Sequence, residues 1–294
     1  MKKTIISAIV ASLLLSTSVV ADSKIKTVKE VGSSAIQKGT QDALTTQDRL
    51  ILEAINSLKF TNSALVALDK DDTKAALANI EKALGKLEVI LSAKNTPKLL
   101  PIDSNVAIYE FIGTKKDVIK TVDHVKDLLD DNKVQVAREL LNTLQSEIDV
   151  TVVSLPLVTY PDSLKLAGKY IHDGKTDEAK KVLEVALSTF SKTVEIIPLP
   201  LLKTTDLIMV SSNLSKNEKK EEALKYLDAA EEELDIAEAL GYVSSSSNTY
   251  KSLHEVLKEV RKEIKGKNKA EKLFDELKSK MKDFKDKVFS SKEK

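Results

Sequence analysis

Apolar residues recur at helical spacing in four stretches of the chain, each counted from one alanine. The alanines are Ala76, Ala137, Ala179 and Ala223, and further apolar residues stand four, seven and eleven positions after each of them. This spacing places the apolar side chains on one face of a helix. A polar turn and a second apolar helix precede each alanine, so the pattern predicts four related helical hairpins.

The prolines fall in three short clusters between these hairpins. Proline removes an amide donor and clashes with the preceding helical turn, so the clusters are expected to be joints between helices. Three apolar segments contain four of the six prolines, and each is called a strap below. The straps are Leu100-Pro101-Ile102, Leu155-Pro156-Leu157 and Ile197-Pro198-Leu199-Pro200-Leu201-Leu202.

The straps allow two interpretations. They pack between helices, or, left partly exposed, they form the wall of a groove for a peptide or an apolar ligand. The second interpretation makes a candidate ligand or partner site of Leu155, Pro156, Leu157, Pro198, Leu199 and Pro200.

A charged segment follows the hairpins. The serine-rich run at 244–249 predicts a linker. Beyond it, apolar residues recur at steps of three and four from Leu253 to Ile264 and from Phe274 to Val288, which is the pattern of heptad seams. Residues 250–294 hold 15 basic and 9 acidic residues. This tail is predicted to be a basic amphipathic helical segment that forms a coiled coil or lies on an anionic envelope surface.

The first 21 residues have the pattern of a secretory signal peptide. Lys2 and Lys3 precede an apolar run, and small residues mark a cleavage site between Ala21 and Asp22. The apolar run has roughly 11 residues against the ~20 that span a bilayer, so a cleaved signal is preferred to an anchor. We therefore expect a periplasmic protein whose mature chain begins with a polar segment at 22–45.

The composition favours helices over sheets. The chain has only eight glycines and few alternating runs of β-branched residues. It has no cysteine, which excludes disulfides, thiolate catalysis and cysteine zinc sites. The predicted fold class is all-α: an irregular bundle of repeated helical hairpins with proline-containing joints, plus the charged helical tail.

Candidate metal ligands are isolated in the sequence. His124, His172 and His254 have no partner residue at metal-ligand spacing. The acidic turn from Asp69 to Asp72 lacks the glycine and the glutamate of a calcium-binding loop. We therefore predict neither a metal site nor a cofactor.

The common catalytic and phosphate-binding motifs are missing from the sequence. Neighbouring carboxylates at Glu231, Glu232 and Glu233 lie in a lysine-rich helix and are interpreted as a solvated face. Acid–base catalysis by such carboxylates is the third-ranked alternative, and no catalytic residue is predicted.

The turn and the third strap together resemble the YfdX family. The turn reads Asp-Gly-Lys-Thr-Asp-Glu-Ala at 173–179, and it occurs here with the signal peptide and the absence of cysteine. The resemblance covers roughly Thr46 to Tyr242 and gives a helical domain at 46–243. It implies a periplasmic, self-associating protein linked to stress tolerance, with chaperone-like or small-ligand binding and no enzymatic activity.

The resulting prediction is a non-enzymatic periplasmic stress-response protein that is chaperone-like or ligand-binding. The alternative is a scaffold that uses the hairpins as surfaces and the tail as a coiled coil or envelope attachment. Expected partners are further copies of the chain, unfolded client proteins or a small apolar ligand, and the envelope through the tail. Nucleic acid is not expected, since the chain is exported and has no arginine clusters.

Overall fold

The structure is a computed structural model that describes residues 26–44, 51–93, 96–266 and 270–290. The predicted signal peptide and its cleavage site at Ala21 and Asp22 lie outside these ranges. Within them, no helix combines the length and the apolar character needed to cross a membrane.

The described chain is 71% helical and also contains one small sheet. The helices are α1 (Val28–Leu44), α2 (Leu52–Asp69), α3 (Thr73–Leu91), α4 (Lys115–Asp130), α5 (Val134–Asn142), α6 (Tyr160–His172), α7 (Thr176–Ser188), α8 (Leu199–Lys216), α9 (Lys220–Ala239), α10 (Asn248–Lys265) and α11 (Glu271–Ser290). The strands are β1 (Leu99–Tyr109), β2 (Glu147–Pro156) and β3 (Ser191–Pro198). The prediction of a mainly helical chain is therefore confirmed. The prediction of an all-α fold is corrected, because three strands form a sheet.

The sheet forms at the three straps, where the sequence interpretation placed only joints between helices. Pro101 lies inside β1, Pro156 ends β2 and Pro198 ends β3. β-branched residues fill the centre of β2 from Val150 to Val153, and such side chains favour extended backbone. The strand order is β1-β2-β3, so Pro101 lies in an edge strand, where a missing amide donor is tolerated.

The strands run antiparallel. The amide of Leu157, just past β2, donates to the carbonyl of Lys98, just before β1, at 2.8 Å. In the same way the amide of Leu199, just past β3, donates to the carbonyl of Ser146, just before β2, at 2.9 Å. The end of one strand thus lies beside the start of its neighbour, which is the antiparallel arrangement.

The helices form five hairpins in chain order. Hairpin 1 is α2 with α3, hairpin 2 is α4 with α5, hairpin 3 is α6 with α7, hairpin 4 is α8 with α9, and hairpin 5 is α10 with α11. The sequence pattern predicts helices in the first four of these regions, but α5 ends at Asn142 and α7 at Ser188, so Leu144, Ile148 and Phe190 lie beyond the helices on which the pattern placed them. Hairpin 5 is formed by the charged tail.

The turns of hairpins 1 to 4 share one backbone geometry. Each has a left-handed residue five positions before its alanine: Asp71 (φ 57°), Asn132 (φ 60°), Gly174 (φ 73°) and Glu218 (φ 62°). The next residue's amide donates to a carbonyl five positions back, at 2.9, 2.7, 2.8 and 3.0 Å. This is the hydrogen bond of a Schellman motif, which ends a helix with a left-handed residue.

The described residues divide into two compact units. Unit 1 holds residues 26–43, 106–149 and the described residues from 195 onward, and unit 2 holds 51–93 and 96–105 together with 44 and 150–194. The hairpins fall alternately: hairpins 1 and 3 are in unit 2, and hairpins 2, 4 and 5 are in unit 1. Each of the three strands has residues in both units, because the boundary between the units crosses every strand.

Unit 2 is built from hairpins 1 and 3. Helix α2 packs on α7 and α3 packs on α6, so the first helix of each hairpin contacts the second helix of the other. Ile80 of α3 lies against Gly168 of α6, where an added Cβ would stand 3.9 Å from Ile80 Cγ2. The core between them includes Leu68, Leu87, Leu155, Leu164 and Leu183.

Unit 1 contains hairpins 4 and 5, and they pair in the same way. Helix α8 packs on α11 and α9 packs on α10. The tail seam is buried in this core, including Leu253, Leu257, Val260, Phe274 and Leu277. The predicted amphipathic tail is therefore part of the fold of unit 1, and its apolar face is covered by the chain itself.

The serine-rich run connects hairpins 4 and 5 within unit 1. The Ser247 side chain accepts a hydrogen bond from the amide of Tyr250 at 3.1 Å and so caps the start of α10. The hydroxyl groups of Ser244 and Ser246 are hydrogen-bonded to each other at 2.7 Å. The run is thus a structured connection between two packed hairpins.

Helix α1 lies in the segment that the sequence marked only as polar. It buries small residues at steps of three and four: Gly32, Ala35, Gly39 and Ala43. A Cβ added at Gly39 would stand 2.6 Å from a methyl carbon of Leu202, so the helix backbone approaches unit 1 closely there. The small residues allow this close packing.

Candidate functional site

The strap side chains are buried in the chain. Leu155 and Leu199 have no exposed surface, Leu157 is 7% exposed, Pro198 and Pro200 are buried, and Pro156 is partly buried. Leu155 and Leu157 belong to the core of unit 2. This placement corresponds to the packing interpretation, and the groove interpretation requires exposure that these side chains lack.

The histidines lie on three separate helices. His124 of α4 and His172 of α6 are exposed, and His254 of α10 is partly buried. Over the described ranges, no group of three or more histidine, aspartate or glutamate residues is placed to hold a metal ion. The acidic turn serves the fold: Asp72 caps α3 by accepting from Ala75 N at 2.9 Å.

The carboxylates of α9 bind basic residues of neighbouring helices in unit 1. Arg261 of α10 contacts Glu231 at 2.5 Å and Asp228 at 2.6 Å. His254 Nδ1 lies 3.5 Å from the other oxygen of Glu231. The interpretation of Glu231 as solvated is therefore wrong, because its carboxylate joins α9 to α10.

The same face of α9 continues toward α4. Tyr250 donates to Asp235 at 2.9 Å, and burial, with this carboxylate beside it, raises the pKa of Tyr250. Lys115, at the start of α4, has its ammonium group 3.6 Å from Asp235 and 3.4 Å from Glu238. These contacts fix hairpins 2 and 5 to α9.

A second ion cluster lies on the opposite side of α9. Lys203 of α8 stands 3.0 Å from Glu110 and 3.6 Å from Glu233. Burial raises the pKa of Glu233, while the charge of Lys203 acts against that rise. Glu232 accepts the backbone amide of Lys115 at 3.1 Å. All three carboxylates from Glu231 to Glu233 thus have structural partners.

One shallow cavity opens between the start of α10 and the second half of α11. It measures about 300 Å³ and is lined by Asn248, Thr249, Ser252, Lys280 and Asp283. These side chains are polar, whereas small apolar ligands bind in pockets lined mainly by apolar and aromatic residues.

An apolar surface is exposed on α5. Val134 and Leu141 stand seven positions apart, on one side of the helix, and are 55% and 45% exposed; these two residues are called the α5 face below. Helix α4 of the same hairpin also exposes Ile119 and Leu129, at 47% and 46%. Hairpin 2 therefore presents apolar side chains to solvent on both of its helices.

At one position the exposure of hairpin 2 differs from that of the other repeated hairpins. Leu141 stands four positions after its alanine, and the residues at that position in hairpins 1, 3 and 4 are Ile80, Leu183 and Leu227. Those three are 3%, 0% and 0% exposed. A position that is a core position in three hairpins is therefore open in the fourth.

Sequence reasoning missed the α5 face, although the sequence carried a signal for it. Val134 stands three positions before its alanine, where the other hairpins have Thr73, Thr176 and Lys220. A valine at a position that is otherwise polar indicates a surface that is not simply solvated.

Comparison with protein families extends these observations. Residues 58–196 match the family model described as "YfdX protein". This region of the chain belongs to the YfdX family. The YfdX region runs from within α2 to within β3, so it includes hairpin 2 and the α5 face, and it ends before hairpins 4 and 5.

Among solved structures, the chain is similar to a crystal structure of YfdX from Salmonella Typhi. The identity is 14%, the match covers 51% of this chain and 93% of that chain, and the TM-score is 0.36. A search of curated proteins gave no match. The assignment to YfdX therefore rests on the family model.

Proposed function

We propose that the chain is an exported, non-enzymatic binding protein that acts in the periplasm and shields apolar surfaces of stressed client proteins. The observation that carries this proposal is the α5 face, because Leu141, at a position that is buried in the other three repeated hairpins, is open to solvent beside the exposed Val134. The predicted signal peptide supports export, and membership of the YfdX family supports a role without catalysis.

The shape of the face favours a protein partner over a small ligand. The exposed residues lie on the surface of one helix, while small ligands are held in concave pockets. Val134 and Leu141, two helical turns apart on the same side of α5, suit the apolar side chains of an extended or helical segment. We therefore prefer chaperone-like binding to capture of a small apolar ligand.

The scaffold alternative has less support. It requires the tail to be free for attachment, whereas the tail seam lies in the core of unit 1. We also propose that the first four hairpins are related repeats. This proposal is supported by their common turn geometry.

The test is suppression of client aggregation. A thermally unfolding enzyme is followed by light scattering with and without the purified chain, and the wild type should lower the scattering. The double variant Val134→Glu, Leu141→Glu should lose this protection, because charge on the face prevents apolar contact.

The matched control is Val89→Glu on α3 of hairpin 1. Val89 is 61% exposed, so the control adds the same charge to another open apolar position on a helix. The control should protect the client as the wild type does. Absence of protection by the wild type, or equal protection by the face variant, would overturn the proposal.

A further inference from the structure

We infer that the segment joining β1 to α4 binds a cationic amphipathic peptide segment, with basic side chains on one side and apolar side chains on the other. The site includes residues 108–113, which are called the apolar loop below. These residues are separate from the α5 face. The inference therefore goes beyond the proposed function and names a second partner, which is recognised by its charge.

The apolar loop exposes large apolar side chains to solvent. Ile112 is 88% exposed, and Ile108 and Tyr109 are 45% and 41% exposed. Phe111 is partly buried, and its ring lies over Gly113, where an added Cβ would stand 2.6 Å from Phe111 Cζ. An isoleucine this exposed gains little from the core of the chain, and neighbouring exposed apolar side chains are typical of an interaction site.

Both ends of the apolar loop are attached to α9 within unit 1. The carboxylate of Glu110 stands 3.0 Å from the ammonium group of Lys203, which lies 3.6 Å from Glu233 of α9. Just past the other end, the amide of Lys115 donates to Glu232 of α9 at 3.1 Å. The exposed middle of the loop is therefore held beside α9, and a partner meets a surface that is already formed.

The part of α9 that holds the loop is strongly acidic. From Asp228 to Glu238 it carries six carboxylates and no basic residue. In the described part of the chain, the permanently charged bases that pair with these carboxylates are Lys115, Lys203 and Arg261. With Glu110 added, seven carboxylates share three cations, so the formal charge of the group is −4 with histidine neutral. A surface with this charge attracts cations and repels anions.

The exposed apolar side chains and the negative charge together indicate the chemistry of the partner. The apolar side chains of a cationic amphipathic segment would cover Ile112, and its basic side chains would lie near the carboxylates of α9. The ring of Tyr109 also attracts a guanidinium or ammonium group. An anionic lipid surface would be repelled by the carboxylates, and so would the same surface of a second copy.

The experiment measures peptide binding to the purified chain by fluorescence anisotropy. The probe is a labelled amphipathic helical peptide made of leucine and lysine. The wild type should bind this peptide, and binding should weaken as salt rises because the attraction is electrostatic. The same peptide with glutamate in place of lysine should not bind. A wild type that binds neither peptide, or binds both equally well, would overturn the inference.

A substitution in the apolar loop tests the apolar contact. Ile112→Ser should weaken binding of the lysine peptide by about tenfold, because the partner no longer buries an isoleucine side chain. The fold should be unaffected, since Ile112 is exposed. The matched control is Val89→Ser in unit 2, which removes a side chain that is 61% exposed and should bind as the wild type does. Unchanged affinity in Ile112→Ser would rule out the apolar loop as the site.

A substitution on α9 tests the role of charge. Glu232 is exposed, and Glu232→Gln keeps an oxygen that can accept the amide of Lys115 while it removes one negative charge. This variant should weaken binding of the lysine peptide by about twofold to fivefold at low salt. Glu81→Gln on α3 of unit 2 removes the same charge from another exposed position and should leave the affinity unchanged. Equal affinities of these two variants would contradict recognition by α9.

Vesicle flotation separates a peptide partner from a membrane. Vesicles of phosphatidylethanolamine and phosphatidylglycerol should leave the wild type unbound, because the carboxylates of α9 repel an anionic surface. If the wild type floats with the vesicles and Ile112→Ser does not, the loop binds lipid and the inference is wrong.

Failure of this inference can be told apart from failure of the proposed function. The double variant Val134→Glu, Leu141→Glu should bind the lysine peptide at least as well as the wild type, and loss of binding there would overturn the separation of the two sites. A wild type that protects clients but does not bind the peptide retains the proposed function and removes the inference. Peptide binding that depends on Ile112, without client protection, retains the inference and removes the chaperone-like role.

Discussion

The hydroxyl group of Tyr160 donates a hydrogen bond of 2.8 Å to the hydroxyl oxygen of Thr61 in the core of unit 2. Thr61 in turn donates to the carbonyl of Ser57 at 2.9 Å. Tyr160 is 1% exposed, so this pair satisfies a polar group that has no access to water. The bond also joins α6 to α2, two helices that are distant in sequence.

Because of this pair, the free energy of unfolding should vary with pH in the alkaline range. Burial raises the pKa of Tyr160 to about 12, although the hydrogen bond to Thr61 opposes the rise, whereas an unfolded tyrosine ionises near pH 10. The folded state binds the proton more tightly, so this contribution is complete below pH 10 and is lost as pH rises toward 12. The loss amounts to about 2 to 3 kcal/mol.

The variant Tyr160→Phe should remove this dependence and should lower the free energy of unfolding by about 1 kcal/mol at neutral pH. Urea unfolding followed by circular dichroism at several pH values measures both effects. Burial also raises the pKa of Tyr242, so the informative quantity is the difference between wild type and variant. Parallel pH profiles for the two proteins would contradict the prediction.

The left-handed turn residues predict two opposite effects of glycine. Glu218 has a φ of 62°, where a side chain is strained, so Glu218→Gly should stabilise the chain by about 1 kcal/mol. Gly174→Ala should destabilise it by about 1 kcal/mol, and the cause is conformation alone because an added Cβ meets nothing within 4 Å.

The control is Gly85→Ala inside α3, where an added Cβ also meets nothing within 4 Å. That change should raise stability by about 0.5 to 1 kcal/mol, since alanine favours a helix over glycine. Thermal unfolding of the three variants gives the signs. The same sign for both glycine-to-alanine changes would contradict the assigned turn geometry.

Burial of the tail seam predicts a large effect at Leu257. This residue has no exposed surface, and Leu257→Ala should lower the free energy of unfolding by about 2 to 5 kcal/mol through lost contacts and a cavity. The neighbouring exposed Lys258→Ala should change it by less than about 0.5 kcal/mol. Denaturant unfolding measures the difference, and equal small effects would indicate a tail that is not packed on hairpin 4.

The close approach of α1 predicts a difference between two glycines of that helix. Gly39→Ala brings a Cβ within 2.6 Å of Leu202, so it should destabilise the chain by about 1 to 3 kcal/mol. Gly32→Ala meets only the flexible stem of Lys203 at 3.7 Å and should be neutral or stabilising. Thermal unfolding checks the pair, and equal effects would contradict the packing of α1.

The candidate site shows which features the local sequence pattern can predict and which it cannot. Sequence reasoning selected the straps because proline and leucine adjoin there, yet Leu155 and Leu199 are buried. It assigned Leu141 to a core face from its spacing, and spacing cannot tell whether another hairpin arrives to cover that face. The exposed site therefore depends on which hairpins pair, which is a relation between distant parts of the chain.

The sequence by itself determined where most helical segments and their turns lie and the apolar seam of the tail, because helical periodicity and turn chemistry act over a few residues. It extended two helices too far, since Ile148 lies in β2 and Phe190 lies past the end of α7. Only the tertiary structure decided that the straps join as a sheet, that hairpins 1 and 3 and hairpins 4 and 5 pair, and that Leu141 is left open. Strand pairing and hairpin packing join residues far apart in the chain, as the hydrogen bond from Thr193 to the carbonyl of Val152 shows. Such contacts depend on the whole arrangement of surfaces, which no local run of residues specifies.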